Sequence, residues 1–178
     1  YAEYFDELLV EKILKESGQA DIITANNVFA NIDNLSVLTK AMVKLLSNNG
    51  VIIIESSYLQ DMINNYVFDF IYHEHLSYLS ILPLKRFFSN YNMKLVDLER
   101  VSTKGGSMRY YFAKNSSNRS INPEVLTLID KEKESKLNEV KTFKKFEEKI
   151  DFFKKNLLMT LEKIDRKICV GYGASASS

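Results

Sequence analysis

Ala20-Asp21-Ile22-Ile23-Thr24-Ala25, followed by the polar pair Asn26-Asn27, and Val51-Ile52-Ile53-Ile54, closed by Glu55, are the two stretches on which the fold turns. Both are short apolar runs that end in polar residues, the pattern of buried parallel strands that deliver side chains to a crevice at their carboxyl ends. Between them, Asp33 or Asn34 is placed to cap a helix whose apolar positions Leu35, Leu38, Ala41, Met42 and Leu45 keep helical spacing, with a stop near Asn49-Gly50. Strand, helix, strand is a crossover unit of a parallel sheet.

Outward from that unit, a helical stretch from Tyr4 to Lys15 precedes the first strand. An irregular aromatic stretch from Tyr58 to Ser80 follows the second, then Pro83 and Leu84 open a helix through Phe88, and Lys94 to Arg100 reads as a strand. Ser102-Thr103-Lys104-Gly105-Gly106-Ser107 is turn chemistry, and Met108 to Ala113, with Tyr110, Tyr111 and Phe112, is β-rich. Strands joined by so short a loop run antiparallel. A parallel sheet finished by an antiparallel last strand is the pattern of the class I methyltransferase version of the doubly wound α/β fold, more than of the all-parallel dinucleotide dehydrogenases.

Asn122-Pro123 makes a helix start, with Asn as cap and Pro in the first turn. From Leu137 onward, Val140, Phe143, Phe146, Ile150, Phe153, Leu157, Leu161 and Ile164 recur at steps of three and four. Such a stripe predicts a helix docked on a core, with an oligomer seam as the alternative. The stripe lapses between Glu132 and Lys136, so a break between two helices is expected there. Lys167 to Gly171 reads as a strand, with Gly171-Tyr172-Gly173-Ala174-Ser175 a small-residue turn after it.

The chain has 178 residues, 46% hydrophobic and 26% charged, an ordinary globular composition. Its 24 basic and 23 acidic residues nearly cancel, so no strong field draws it to nucleic acid or to an anionic membrane. No run reaches the length of a membrane span, and a lone cysteine, Cys169, fits a reducing, cytoplasmic setting. Both ends read as cut edges of a longer protein.

Both histidines lie in one tetrapeptide, Tyr72-His73-Glu74-His75. An extended backbone would turn His73 and His75 to the same side, as a metal site needs, yet no third histidine or cysteine cluster supports them, and no metal site is expected. Acid/base work fits better: a histidine titrating near neutrality, oriented by a carboxylate or phenol, can take a proton from a carbon beside a carbonyl. For His73, a ring satisfied by a backbone carbonyl is a serious rival. Lys104-Gly105-Gly106-Ser107 with Arg109 could present amides and a guanidinium to an anion, or could simply be a turn.

Ala25-Asn26-Asn27-Val28-Phe29-Ala30, Gly50-Val51, Glu55 to Tyr58-Leu59, Asp69 through the Tyr72-His73-Glu74-His75 block to Tyr78, Gly105-Gly106-Ser107-Met108-Arg109 and Gly171-Tyr172-Gly173-Ala174 together resemble the S-adenosyl-L-methionine (SAM)-dependent sugar C-methyltransferases. The resemblance implies a keto-deoxysugar linked to a nucleotide as substrate, SAM as cofactor, and zinc only in an N-terminal domain that this sequence lacks, along with the SAM glycine loop. It implies that residues 1–115 are the C-terminal half of the SAM domain, 116–165 a helical connector, and 166–178 the start of a second Rossmann-like domain. His75 is then the base, Tyr72 and Glu74 position the sugar or polarise its oxygen, and Asn26, Asn27 and Val28 border the SAM crevice. Substrate contacts are implied at Tyr58, His73, Gly106, Ser107, Arg109 and Tyr172. Asn31 stands where many relatives carry a histidine, and Ser56-Ser57 replaces their proline pattern. The alternative is an inactive relative that serves as a nucleotide-sugar or partner binding module.

Overall fold

The computed structural model describes residues 1–164 and Val170. Asp6 accepts hydrogen bonds from the amides of Leu8 and Leu9, which sets the start of α1 (Glu7–Ser17), later than the apolar spacing suggests, and Gly18 at φ 78° ends it. β1 (Ala20–Asn26) follows, then a single 3-10 turn at Phe29–Asn31 and α2 (Leu35–Leu45), capped by the Asn34 side chain on the amide of Val37. β2 runs Leu46–Ser57, α3 Leu59–Asn64, α4 Ile81–Ser89, β3 Met93–Val101 and β4 Ser107–Lys114. Helices α5 (Glu124–Glu134) and α6 (Val140–Glu162) complete the described chain.

The four strands form one sheet in the order β1-β2-β4-β3. β1 and β2 are parallel, and β4 is antiparallel to both its neighbours, so β3 shares the direction of β1 and β2. Among the described strands β4 is therefore inserted between β2 and β3 and alone points the other way. This is the mixed α/β architecture with an antiparallel last strand that the strand and turn pattern predicts.

Two strand expectations need correction. β2 begins at Leu46 rather than Val51, and α2 ends at Leu45 rather than near Asn49-Gly50. Ala20 pairs with Leu46 but Ile22 with Val51, so residues 47–50 are an irregularity in the ladder rather than a helix stop. Gly50 is there for contact: a Cβ would come within 2.7 Å of Leu46 Cδ1 and 3.0 Å of the Asp21 carbonyl. Among the described residues β1 pairs only with β2, and of its seven residues only Ala25 is buried, with Ile22 62% exposed.

The core lies between β2, β4, β3 and the helices α2, α4 and α5, where Phe88 and Phe112 stack at 3.9 Å with both rings inaccessible to solvent. Burial of each such ring stabilises the fold by about 1.5–3 kcal/mol. A smaller cluster, Val10, Ala41 and Leu45, joins α1 to α2. Asn122 ties the start of α5 to β3: its amide donates to the Val96 carbonyl at 2.8 Å and its side chain to Asp97 at 2.9 Å, while its own oxygen accepts from Glu124.

The break expected between Glu132 and Lys136 falls at residues 135–139, where Lys136 takes a left-handed φ of 54°. The expected docking of the long apolar stripe is overturned. No residue of α6 is buried, and its stripe meets the rest of the described chain through Phe146 and Phe153, which pack on the ring of Tyr66. The strand expected at Lys167–Gly171 and the turn containing Tyr172 lie outside the described residues.

Candidate functional site

The parallel strands β1 and β2 finish side by side, with Asn26 opposite Glu55. The next residue, Asn27, adopts φ 53° and donates its amide to the Glu55 carbonyl at 2.8 Å, a left-handed turn that asparagine tolerates better than most residues. That turn swings the chain into the 3-10 segment, where Phe29 and Ala30 are buried, and leaves Asn26, Asn27 and Val28 exposed at the carboxyl tip of β1. The tip of such a strand is where open α/β sheets bind ligands.

The aromatic stretch leaves the sheet at Tyr58 and returns at Ser80, and its two feet are joined. Tyr58 and Leu79 form a parallel bridge, and the amide of Leu59 donates to the Leu79 carbonyl at 2.9 Å. Farther out, the amide of Ser77 donates to the carbonyl of Ala30 at 3.0 Å, which straps the loop to the segment just beyond the β1 tip. The Tyr72-His73-Glu74-His75 block is a tight turn at this strap, closed by a 3.1 Å hydrogen bond from the His75 amide to the Tyr72 carbonyl. A turn does not present alternate side chains on one side, so the extended arrangement that would aim His73 and His75 at a shared ion is not formed. Among the described residues no group of three or more His, Cys, Asp or Glu side chains is disposed to hold a metal.

His75 is half-buried, with His73 and Glu74 exposed beside it. Its Nδ1 lies 2.9 Å from the carbonyl oxygen of Phe70. A carbonyl only accepts, so Nδ1 carries the hydrogen, and in the neutral ring Nε2 is left with its lone pair. The imidazole is also walled by aromatic rings: Tyr72 at 4.4 Å, Tyr78 edge-on at 6.1 Å and Phe70 nearly parallel at 6.4 Å. Burial pushes the Tyr78 phenol above its ordinary pKa. The orienting group is thus a backbone carbonyl five residues upstream, where the sequence suggested a carboxylate or phenol. No side-chain pattern signals a backbone acceptor.

The remaining expected site residues are built into the framework around this loop. Tyr58 is only 1% exposed, its phenol donating to Glu132 Oε2 at 2.8 Å with the Gln60 side chain 2.7 Å away. Burial first, and the neighbouring Glu132 carboxylate second, hold that phenol protonated well above its usual range. The carbonyl of Gly106 accepts from the Tyr58 amide at 3.1 Å, and at φ 127° a Cβ there would stand 2.5 Å from Asp61 Cβ, so only glycine fits. Ser107 is fully buried and its hydroxyl bonds the Thr103 carbonyl at 3.2 Å. Arg109 lies between two carboxylates, Glu55 at 2.6 Å on one neighbouring strand and Glu99 at 3.1 Å on the other, and the Glu55 bond leads in raising its pKa.

No hydrogen bond or ring pairing joins any of these four to His75 among the described residues. Thr103–Gly105 is a 3-10 turn, and Gly106, Ser107 and Arg109 beyond it carry the internal bonds just described. A cavity of about 490 Å³ beside it is bordered by Asp61, Arg100, Ser102 and Gly106. Asp61 and Arg100 form an ion pair there. Asn31 lies directly after Ala30, the acceptor of the strap, and its side-chain oxygen is buried with no partner among the described residues.

The described residues form a mixed α/β sheet whose histidine loop is tied to the segment just beyond the β1 tip. The chain belongs to the methyltransferase domain family, whose model matches residues 3–98, and a model described as the C-methyltransferase C-terminal domain matches residues 102–178. The C-methyltransferase NovU of Streptomyces niveus is 26% identical over 166 residues, which covers 92% of this chain. The chain spans 40% of the length of that curated relative. Among solved structures, it resembles a SAM-dependent methyltransferase from Anabaena variabilis (10% identity, 62% of this chain and 55% of the other, TM-score 0.46). It also resembles an O-methyltransferase family protein from Burkholderia thailandensis (12% identity, 66% and 36%, TM-score 0.44). Likenesses this slight do not bear on the chemistry.

Proposed function

We propose that this chain is part of a SAM-dependent C-methyltransferase in which His75 removes a proton from a carbon beside a ketone. The observation that carries the proposal is the Nδ1–H to Phe70 carbonyl bond, which leaves the Nε2 lone pair available on a half-buried ring two residues before the Ser77–Ala30 strap. SAM, when bound, supplies an electrophilic methyl group on a positively charged sulfur. The tip of β1 suits its border: Asn26 and Asn27 offer exposed amide side chains and Val28, 44% exposed, an apolar surface.

In this reading Nε2 accepts the α-proton as the C–H pair moves into the ketone to give an enolate, and Nδ1 keeps its hydrogen on Phe70, so the imidazolium formed is oriented throughout. The carbanionic carbon is then the nucleophile. Tyr72, packed at 4.4 Å, holds the ring plane, and the exposed Glu74 and His73 are assigned to contact the substrate. The C-methyltransferase relative and the C-methyltransferase domain match favour carbon as the acceptor. The ketone of a nucleotide-linked sugar is assigned from the likeness of the Tyr72-to-His75 block to the sugar C-methyltransferases. Residues 1–115, 116–165 and 166–178 are taken as methyltransferase-domain half, helical connector and start of a further domain.

The test is proton exchange in deuterium oxide at the substrate carbon. His75→Asn keeps an N–H near Nδ1 and removes Nε2, so exchange and methyl transfer should both fall by about a hundredfold or more, the range for loss of a positioned base, while SAM binding persists. Undiminished exchange in that variant would assign the base elsewhere.

A further inference from the structure

The Glu132 carboxylate, on α5 in the connector, is 2% exposed and yet has every hydrogen bond it needs. Oε2 accepts from the Tyr58 phenol at 2.8 Å and from the Ile81 amide at 2.6 Å, and Oε1 accepts from the Leu82 amide at 2.8 Å. The last two donors are the first-turn amides of α4. The helix has no cap of its own, because the side chain of Ser80, at the N-cap position, makes no capping bond. The missing cap is supplied from fifty residues away, and the negative charge sits at the helix end whose dipole favours it.

The same carboxylate touches both feet of the histidine loop. Tyr58 is where the chain leaves the sheet, and Ile81 and Leu82 are where it resumes regular structure, immediately after the Leu79 bridge. One side chain on the connector thus clamps the exit and the return of the 59–80 excursion that carries His75. The hydrogen bonds are charge-assisted and buried, the class in which loss of one partner costs most.

The geometry points to Glu132 as a positioning residue for the His75 loop, fixing both of its feet so that the strap to Ala30 and the Phe70 carbonyl hold the imidazole in one orientation. The inference rests on the reading of His75 as the base, and Glu132 touches neither substrate nor cofactor: it acts through Tyr58 and the start of α4. Its consequence is that the connector helix and the loop over the strand tips move as one unit. Displacement of α5 therefore reaches the imidazole without any contact to it.

The experiment uses the full chain with Glu132→Gln, which keeps the shape and one acceptor oxygen but sets an NH2 group against a donor. Tyr58→Phe, which frees one foot only, is the milder companion. Val125→Ala, a core truncation on the same helix that removes no hydrogen bond to either foot, is the control for general loosening. Two readouts need no substrate: amide exchange at Ile81 and Leu82, and nitrogen NMR of the imidazoles, simplified by there being only two histidines in the sequence. Glu132→Gln should speed exchange at those two amides about tenfold, as loss of one charge-assisted bond does, and shift the His75 Nδ1 signal toward a mixture of tautomers. Tyr58→Phe should move the same signals less, and Val125→Ala should leave the Nδ1 signal in place at matched melting temperature. An unmoved Nδ1 signal in folded Glu132→Gln, or an equal shift in Val125→Ala, overturns the positioning role. If the signals move as expected while His75→Asn retains carbon exchange, the clamp stands and the base assignment fails.

Discussion

Helices α5 and α6 are neighbours in sequence and both carry an apolar stripe, yet only the shorter is part of the core. In α5, eleven residues place Val125, Ile129 and Glu132 in the interior, whereas the 23 residues of α6 bury none. The difference is in what fixes each helix. α5 is tied at its start by Asn122 to β3 and toward its end by Glu132 to α4, so its two aliphatic side chains are held over the sheet. α6 begins after the left-handed turn at Lys136 and meets the rest of the described chain around Tyr66, through Phe146, Lys149 and Phe153. Periodicity tells which face of a helix is apolar; polar anchors decide here which helix is seated.

The contrast is most exposed at Ile129. Ile129→Ala should lower unfolding free energy by about 3 kcal/mol, as truncation of a closely packed aliphatic residue does, read as a drop in denaturant midpoint. Tyr66→Ala should cost about 1 kcal/mol, the scale of an aromatic pair, and should raise protease cleavage within residues 135–139 while leaving the sheet intact. Leu157→Ala, on the exposed stripe, should change stability by less than about 0.5 kcal/mol. A Leu157→Ala penalty as large as that of Ile129→Ala would erase the distinction and make α6 a core element.

The sheet was legible because its strands carry local signals: apolar runs closed by polar pairs at Asn26-Asn27 and Glu55, and a glycine turn that forces β3 and β4 antiparallel. The start of β2 was not, since Ser47-Asn48-Asn49-Gly50 looks like a helix stop. The bonds from Ser47 to Asp21, from Ser116 to Asn48 and from Asn118 and Arg119 to Asn49 show how that irregular segment is held. At the candidate site, the Tyr72-to-His75 block stood out by composition, but its orienting acceptor, the Phe70 carbonyl, has no residue signature. Glu132 was equally hidden, visible in the sequence only as the edge of the break before Lys136, because its partners lie 74, 51 and 50 residues away. The cross-strand pairing of Arg109 with Glu55 and Glu99 was hidden for the same reason, since those carboxylates lie on neighbouring strands and not nearby in sequence.

Placement of β4 between β2 and β3 bears on how the chain assembles during synthesis. The slot between β2 and β3 stays vacant until β4 has left the ribosome, because β2 and β3 share no ladder of their own. Nascent chains that stop before Ser107 leave β2 and β3 with open facing edges, the kind of species prone to aggregate. Eight residues from Ser107 to Lys114 close both gaps at once.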